Sequence, residues 1–304
     1  MYDIIIVGGG PAGIAAAIYA KRAGRDVAVI EKFIPGGQVA LTGQIENYPG
    51  FTKIEGSELA DKFKTHAQAL NVPFIMDEVT EFDLDKDIKT VICKNGSYSA
   101  LSVILAMGCH SKELNIDGEL RLKGKGVSYC AICDGNFFKG KDVAVVGSGD
   151  SAFSDAIYLS SICNKVYILA KSKLKLNNYS ENEFDGSEKV TILKNALSTS
   201  IEGNDRVEKL HFNQDGEEHS IDVSGVFVAI GRSPETSQLT GKINLSERGY
   251  VIANDKMMTN CAGVFACGDI REGSLRQIAT AVGDGAIAGT EASKYVLVYK
   301  AQHK

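Results

Sequence analysis

The sequence predicts an α/β fold of two similar domains, the second inserted into the first, and three observations predict it. First, Asp3-Ile4-Ile5-Ile6-Val7 runs into Gly8-Gly9-Gly10-Pro11-Ala12-Gly13, and 139 residues later Asp142-Val143-Ala144-Val145-Val146 runs into Gly147-Ser148-Gly149-Asp150-Ser151-Ala152. Each unit is a buried strand, a G-x-G-x-x-G/A turn and the start of an Ala-rich helix, the grammar of a nucleotide-binding βαβ unit. Second, Val103-Ile104-Leu105-Ala106-Met107-Gly108 is echoed by Val226-Phe227-Val228-Ala229-Ile230-Gly231, each an apolar strand ending in A-x-G. Third, the tail adds a strand-like run, Gly263-Val264-Phe265-Ala266-Cys267, then Gly268-Asp269 and a helix-like stretch from about residue 278 to 299. Two Rossmann-like domains follow: one built from 1–112 plus 241–304, and a central one spanning 113–240. The segments 109–120 and 232–242 carry Gly, Pro, Ser and charge, as hinges between domains do.

Length and composition agree. At about 150 residues per domain, 304 residues suggest two domains, each able to bury a core without disulfide staples. A net charge of −5 argues against non-specific nucleic-acid binding. Glycine, 32 of 304 residues, exceeds the usual share of about 7% and punctuates apolar strands rather than forming a low-complexity tract. No apolar run reaches the roughly 18 residues of a membrane span. The chain enters a strand at Met1-Tyr2-Asp3, which leaves no room for a signal peptide. Seven cysteines, an odd number without extracellular context, argue against a disulfide framework and for a cytoplasmic protein.

The first glycine turn is the strongest nucleotide signal. Gly8 permits the tight turn, Gly10 lets backbone approach a pyrophosphate, and Gly13 lets helix pack on strand. The helix beyond presents free N–H groups to phosphates. A second strand, Asp26-Val27-Ala28-Val29-Ile30, ends in Glu31, 18 residues after Gly13, where a carboxylate binds ribose hydroxyls.

Further motifs exceed what a nicotinamide site needs: Pro35-Gly36-Gly37-Gln38, Glu46-Asn47-Tyr48-Pro49-Gly50, Gly268-Asp269 and Arg276-Gln277-Ile278. Together with Cys130-Ala131-Ile132-Cys133-Asp134-Gly135 they resemble the low-molecular-weight thioredoxin reductase family over essentially the whole chain. The resemblance implies the two-domain architecture of flavin- and nicotinamide-linked reductases, with FAD in the first domain and a homodimer. It implies flavin contacts at Gly8, Gly10, Pro11, Ala12, Gly13, Glu31, Gly37, Gln38, Asn47, Ala106, Gly108, Gly268, Asp269, Arg276, Gln277 and Ile278. The family's A-T-G strand end reads Ala106-Met107-Gly108 here.

A C-x-x-C pair can be half a zinc site, which requires two further ligands. Cys261 and Cys267 lie in the tail of the first domain, and the five histidines show no ligand spacing; no metal is expected. Such a pair can instead close a small reducible disulfide. The resemblance makes Cys130 and Cys133 the redox pair and Asp134 its proton donor and acceptor, with thioredoxin as the partner. Cys93, Cys109, Cys163, Cys261 and Cys267 read as small buried apolar residues. A disulfide that must meet a flavin and then a second protein cannot do both in one rigid arrangement, so the central domain is expected to rotate.

One departure concerns the electron donor. NADPH-dependent members follow the second strand of the central domain with H-R-R-x-x-x-R, whose arginines hold the 2′-phosphate. Here Lys165-Val166-Tyr167-Ile168-Leu169 is followed by Ala170-Lys171-Ser172-Lys173-Leu174-Lys175-Leu176, so the arginine positions read Lys171, Ser172 and Leu176. Lysine cannot copy the planar guanidinium fork, and Ser and Leu bring no charge. The lysines allow a weaker NADPH site, a solvated face, or a domain that no longer takes nicotinamide. The last pattern resembles ferredoxin-dependent flavin thioredoxin reductases, and it makes reduced ferredoxin the expected donor. The alternatives are ordinary NADPH dependence and a flavin disulfide reductase serving another protein.

Overall fold

The computed structural model describes residues 1–185 and 187–303; residues 186 and 304, inside the predicted spans 113–240 and 241–304, lie outside the described residues. The chain divides into two compact units, Met1–His110 with Ser233–Lys304, and Ser111–Arg232.

In the first unit, Tyr2–Val7 lies between the parallel strands Val27–Glu31 and Ser97–Leu105, and Phe74–Met76 extends the sheet beyond Val27–Glu31. Ile4, Ile5 and Ile6 are fully buried, as a strand covered on both faces requires. The tail strand Val264–Ala266 returns to pair in parallel with Val103, Ile104 and Leu105. Lys89–Cys93 pairs antiparallel with the start of Ser97–Leu105, and Val79–Asp83 adds an antiparallel edge.

The helix Pro11–Arg22 packs against the C-terminal helix Ile278–Gln302. Their close approach rests on glycine: a Cβ at Gly285 would lie 2.1 Å from the Ala12 carbonyl oxygen, and one at Gly289 would lie 2.4 Å from that of Ala16. Backbone cannot yield as a side chain can. Gly285→Ala is therefore expected to destabilise this unit by about 1–3 kcal/mol, the usual cost of overpacking, read as a lowered midpoint of thermal unfolding.

The second unit repeats the plan. Its five-stranded parallel sheet runs in the order Val127–Ser128, Gly225–Val228, Asp142–Val146, Lys165–Ala170, Val190–Lys194. The helix Asp150–Ser160 covers one face with Phe153, Ala156 and Leu159. A three-stranded antiparallel sheet, Ala196–Glu202, Lys209–Gln214 and Glu217–Asp222, covers the other through Ile201, Leu210 and Phe212.

The crossings between units fall at 110/111 and 232/233, where the sequence reading put them at 112/113 and 240/241. Residues 233–240 go with the first unit because Leu239 is fully buried in its core beside Ile243 and Val251. Among the described residues, no helix is long and apolar enough to cross a membrane.

Candidate functional site

The first glycine turn is built for close approach. Gly8 has φ +104°, and a Cβ there would stand 2.3 Å from the Ala106 carbonyl oxygen. A Cβ at Gly13 would stand 1.9 Å from the Gly8 carbonyl oxygen, so the turn closes only with hydrogen at both positions. Gly10 differs: a Cβ there would meet nothing within 4 Å, so its backbone faces open space. Gly10 caps the helix Pro11–Arg22 without a side-chain hydrogen bond, and Pro11 takes the first helical position. A helix start with no side-chain cap, facing open space, suits an anion.

Other predicted residues gather around this turn. Glu31 is buried, its Oε2 accepting the Gly9 N–H at 2.7 Å and its Oε1 the Phe33 N–H at 2.9 Å. Each oxygen keeps a lone pair for a ribose hydroxyl. The loop carrying Gly37 and Gln38 folds back on the turn, Gly36 donating to the Gly9 carbonyl at 2.7 Å. A Cβ at Gly37 would come within 3.2 Å of Gly10 Cα. Gln38 Nε2 donates to the Cys109 carbonyl at 2.5 Å, and Cys109 Sγ lies 3.9 Å from Asp269 Oδ2. Gly108 has φ +73°.

Gly268 lies against Ala12, where a Cβ would come within 2.8 Å of that side chain, and it starts the short turn that carries Asp269. Asn47 Nδ2 donates to Gln277 Oε1 at 3.1 Å, and Gln277 caps the helix that begins at Ile278. Arg276, with φ +61°, stacks its guanidinium 4.7 Å from the centre of the Tyr250 ring. An open, glycine-lined backbone cradle at a helix start, with a carboxylate at its edge and amide side chains beyond, fits a dinucleotide.

The second unit carries the cysteine chemistry. Cys130 and Cys133 form a disulfide with Cα atoms 5.3 Å apart, Cys130 just before and Cys133 within the short helix Ala131–Asp134. Both are half-buried, and Ile132 between them is exposed. Cys130 Sγ caps that helix by accepting the Cys133 N–H at 3.2 Å. Gly135 lets the turn lie against the helix Asp150–Ser160, since a Cβ there would come within 2.8 Å of Tyr158.

Asp134 Oδ2 accepts the Ser128 hydroxyl at 2.6 Å. Burial pushes the Asp134 carboxyl above its ordinary range, and the Ser128 bond opposes the rise. The residue before the pair is anchored too: Tyr129 donates its hydroxyl to the buried Glu119 at 2.9 Å, and its carbonyl accepts from Arg232 at 3.3 Å. Asp155 is pushed up to about 6 by burial, against the pull of Arg232. Ser128, Glu119 and Arg232 escape a sequence reading because no motif marks them. The only signal was that Ser128 lies two residues before the C-x-x-C.

Elsewhere, Cys93, Cys163 and Cys267 are buried, and burial raises their thiols, to about 11 for Cys93 and Cys163. Cys261 departs from the buried expectation: it is half-buried and donates to the Leu84 carbonyl at 3.3 Å.

The segment after Lys165–Ala170 is fastened to the second glycine turn. Lys175 N–H donates to the Ser148 carbonyl at 2.7 Å, and Asp150 accepts the N–H of Asn177 at 2.9 Å and of Asn178 at 3.3 Å. Lys171 and Ser172 are exposed, whereas Leu176 packs against the core cluster that contains Phe153.

Comparison with known proteins adds the family. The model of the pyridine nucleotide-disulphide oxidoreductase family matches residues 2–285. A thioredoxin reductase of Bacillus subtilis is 42% identical over 300 residues, covering 97% of this chain and 95% of that protein. The crystal structure of thioredoxin reductase from Streptococcus pyogenes superposes with a TM-score of 0.93 at 39% identity, covering 98% of this chain and 99% of that one. A ferredoxin-flavin thioredoxin reductase from Clostridium acetobutylicum is 33% identical with a TM-score of 0.54, covering 98% of both chains. The double glycine-turn plan, the Cys130–Cys133 disulfide and these likenesses agree: the chain belongs to the pyridine nucleotide-disulphide oxidoreductase family, among its thioredoxin reductases.

Proposed function

We propose that the chain reduces the disulfide of thioredoxin through bound FAD and the Cys130–Cys133 pair, with reduced ferredoxin as the electron donor. The observation that carries the disulfide chemistry is a half-buried Cys130–Cys133 bond one residue from a carboxyl held by Ser128. In the first unit, Gly8, Gly10, Gly13, Glu31, Gln38, Asp269 and Gln277 would hold the FAD. Bound there and reduced by the donor, the flavin would supply the electron pair that opens the disulfide to a Cys130 thiolate and a Cys133 thiol.

The chain's own residues do the rest. The Cys133 N–H on Cys130 Sγ favours negative charge on that sulfur. The Cys130 thiolate attacks the thioredoxin disulfide, forming a mixed disulfide and expelling one thioredoxin thiolate. Cys133 gives its proton to Asp134, and the new thiolate cleaves the mixed disulfide. That step restores the Cys130–Cys133 bond and frees the second thioredoxin thiolate, to which Asp134 returns the proton. Asp134→Asn is expected to slow thioredoxin reduction by about 10²–10⁴-fold, the usual share of general acid–base catalysis, with flavin content unchanged. Turnover within a factor of two of the parent would exclude Asp134 from the proton path.

The donor reading rests on Lys171, Ser172 and Leu176. Asp150 and Lys175 fasten their segment to the glycine turn, so these positions cannot be exchanged for others by a slipped loop. Leu176, packed on the core, is unsuited to a phosphate. Among the described residues, Lys171, Lys173 and Lys175 make no ion pair, which leaves three cations for an acidic partner. The competing reading, NADPH as donor, is favoured by the intact second glycine turn. Gly147 of that turn, however, has a packing reason to persist, since a Cβ there would lie 2.4 Å from the Ala229 carbonyl oxygen, whereas one at Gly149 would meet only the Lys175 carbonyl oxygen at 3.8 Å. Anaerobic thioredoxin-disulfide assays with each donor test the assignment, and absence of new thioredoxin thiols with every donor would sink it.

A further inference from the structure

We infer that Ser128 is the positioning residue that keeps Asp134 in register with the cysteine pair in both of its protonation states. The inference rests on the proposed acid–base role of Asp134. Ser128 ends the strand Val127–Ser128, held opposite Phe227 of Gly225–Val228, and its side chain is buried. Its hydroxyl has three neighbours: Asp134 Oδ2 at 2.6 Å, the Cys130 N–H, which it accepts at 3.1 Å, and the Cys130 carbonyl at 3.4 Å.

A hydroxyl has one hydrogen and two lone pairs. With Asp134 ionised, the hydrogen goes to Oδ2, the short contact, while the oxygen accepts the Cys130 N–H. With Asp134 protonated, the carboxyl donates to Oγ, the Cys130 N–H fills the other lone pair, and the hydroxyl hydrogen turns to the Cys130 carbonyl. The Ser128 hydroxyl, Asp134 Oδ2 and the Cys130 N–H are paired in both arrangements, so the proton can come and go while Asp134 stays in place. A buried carboxyl without such a partner would swing away or resist ionising.

The titratable groups on the surrounding elements are Tyr129 before the pair, Asp155 and Tyr158 on the helix Asp150–Ser160, and Arg232 beyond Gly225–Val228. None of them figures in the shift of Asp134, whose causes are burial and the Ser128 bond. Cys130 and Cys133 join the titration once reduced.

The test follows iodoacetamide labelling of Cys130 and Cys133 against pH in the dithiothreitol-reduced, flavin-loaded protein, alongside thioredoxin reduction. Ser128→Ala removes a bond to the ionised carboxylate, so the acidic limb of the thioredoxin-reduction profile should move to higher pH, while labelling, which reads the thiolate beside a carboxyl now harder to ionise, should not slow. At a fixed pH on that limb turnover should fall about 10- to 100-fold, the worth of one hydrogen bond to a charged group. Ser128→Thr, which keeps the hydroxyl, should restore the limb. In an Asp134→Asn background, Ser128→Ala should change neither profile further, a result that loss of fold could not produce. If Asp134→Asn leaves the limb in place, the acid–base role of Asp134 falls, and this inference with it. If Asp134→Asn removes the limb but Ser128→Ala behaves as the parent, the positioning role alone is overturned.

Discussion

Serine in place of either Cys130 or Cys133 is expected to abolish thioredoxin reduction while flavin stays bound. One remaining sulfur cannot close the disulfide that takes up the electron pair, and a hydroxyl cannot replace the thiolate in exchange, so the loss is several orders of magnitude. The buried thiols Cys93, Cys109, Cys163 and Cys267 cannot substitute. Burial holds Cys93 and Cys163 near 11, so at neutral pH they are protonated and inert, and Cys267 is fully buried. Flavin retention follows from the division of the chain: both cysteines lie in the Ser111–Arg232 unit, and the glycine cradle lies wholly in the other. Flavin absorbance per chain and the appearance of thioredoxin thiols are the paired readouts. Wild-type turnover in both variants would remove the pair from the reaction.

The second large effect expected under the proposed donor assignment is weak reduction by NADPH. Each charge-assisted hydrogen bond to a 2′-phosphate is worth about 1.5–3 kcal/mol. With Ser172 and Leu176 at two of the three arginine positions, about 3–6 kcal/mol is missing, or roughly 10²–10⁴-fold in affinity. Lys171 keeps one charge but not the fork geometry. Arginine at positions 171, 172 and 176 together should recover part of this affinity, read as tighter NADPH-dependent bleaching of the flavin band. If the triple variant gains nothing, the segment does not decide the donor.

Most of the architecture was legible because it is local. The glycine turns, the strands that precede them and the C-terminal helix announce themselves by apolar runs and by glycines that backbone contacts demand, as at Gly8 and Gly13. The helix runs to Gln302, three residues past its expected end. The edge strand Glu217–Asp222 of the antiparallel sheet was not legible, because it is almost entirely polar and exposed and shows no alternation. The crossing at 232/233 depends on where Leu239 is buried, a fact of tertiary packing. The same limit applies to the site. Gln38 meets Cys109 across 71 residues, and Asn47 meets Gln277 across 230. Ser128 gains its relation to Asp134 only when the turn at Cys130 brings them together.

The most direct measurement mixes the oxidised, flavin-loaded protein anaerobically with NADPH, NADH or reduced ferredoxin, with thioredoxin disulfide present, and follows the flavin band and thioredoxin thiols together. Reduced ferredoxin should bleach the flavin and yield two thioredoxin thiols per electron pair, at rates that fall as salt screens Lys171, Lys173 and Lys175. NADPH should bleach it poorly at micromolar concentration. Rapid, stoichiometric bleaching by micromolar NADPH, with thioredoxin thiols following, would contradict the donor assignment and make NADPH the electron source.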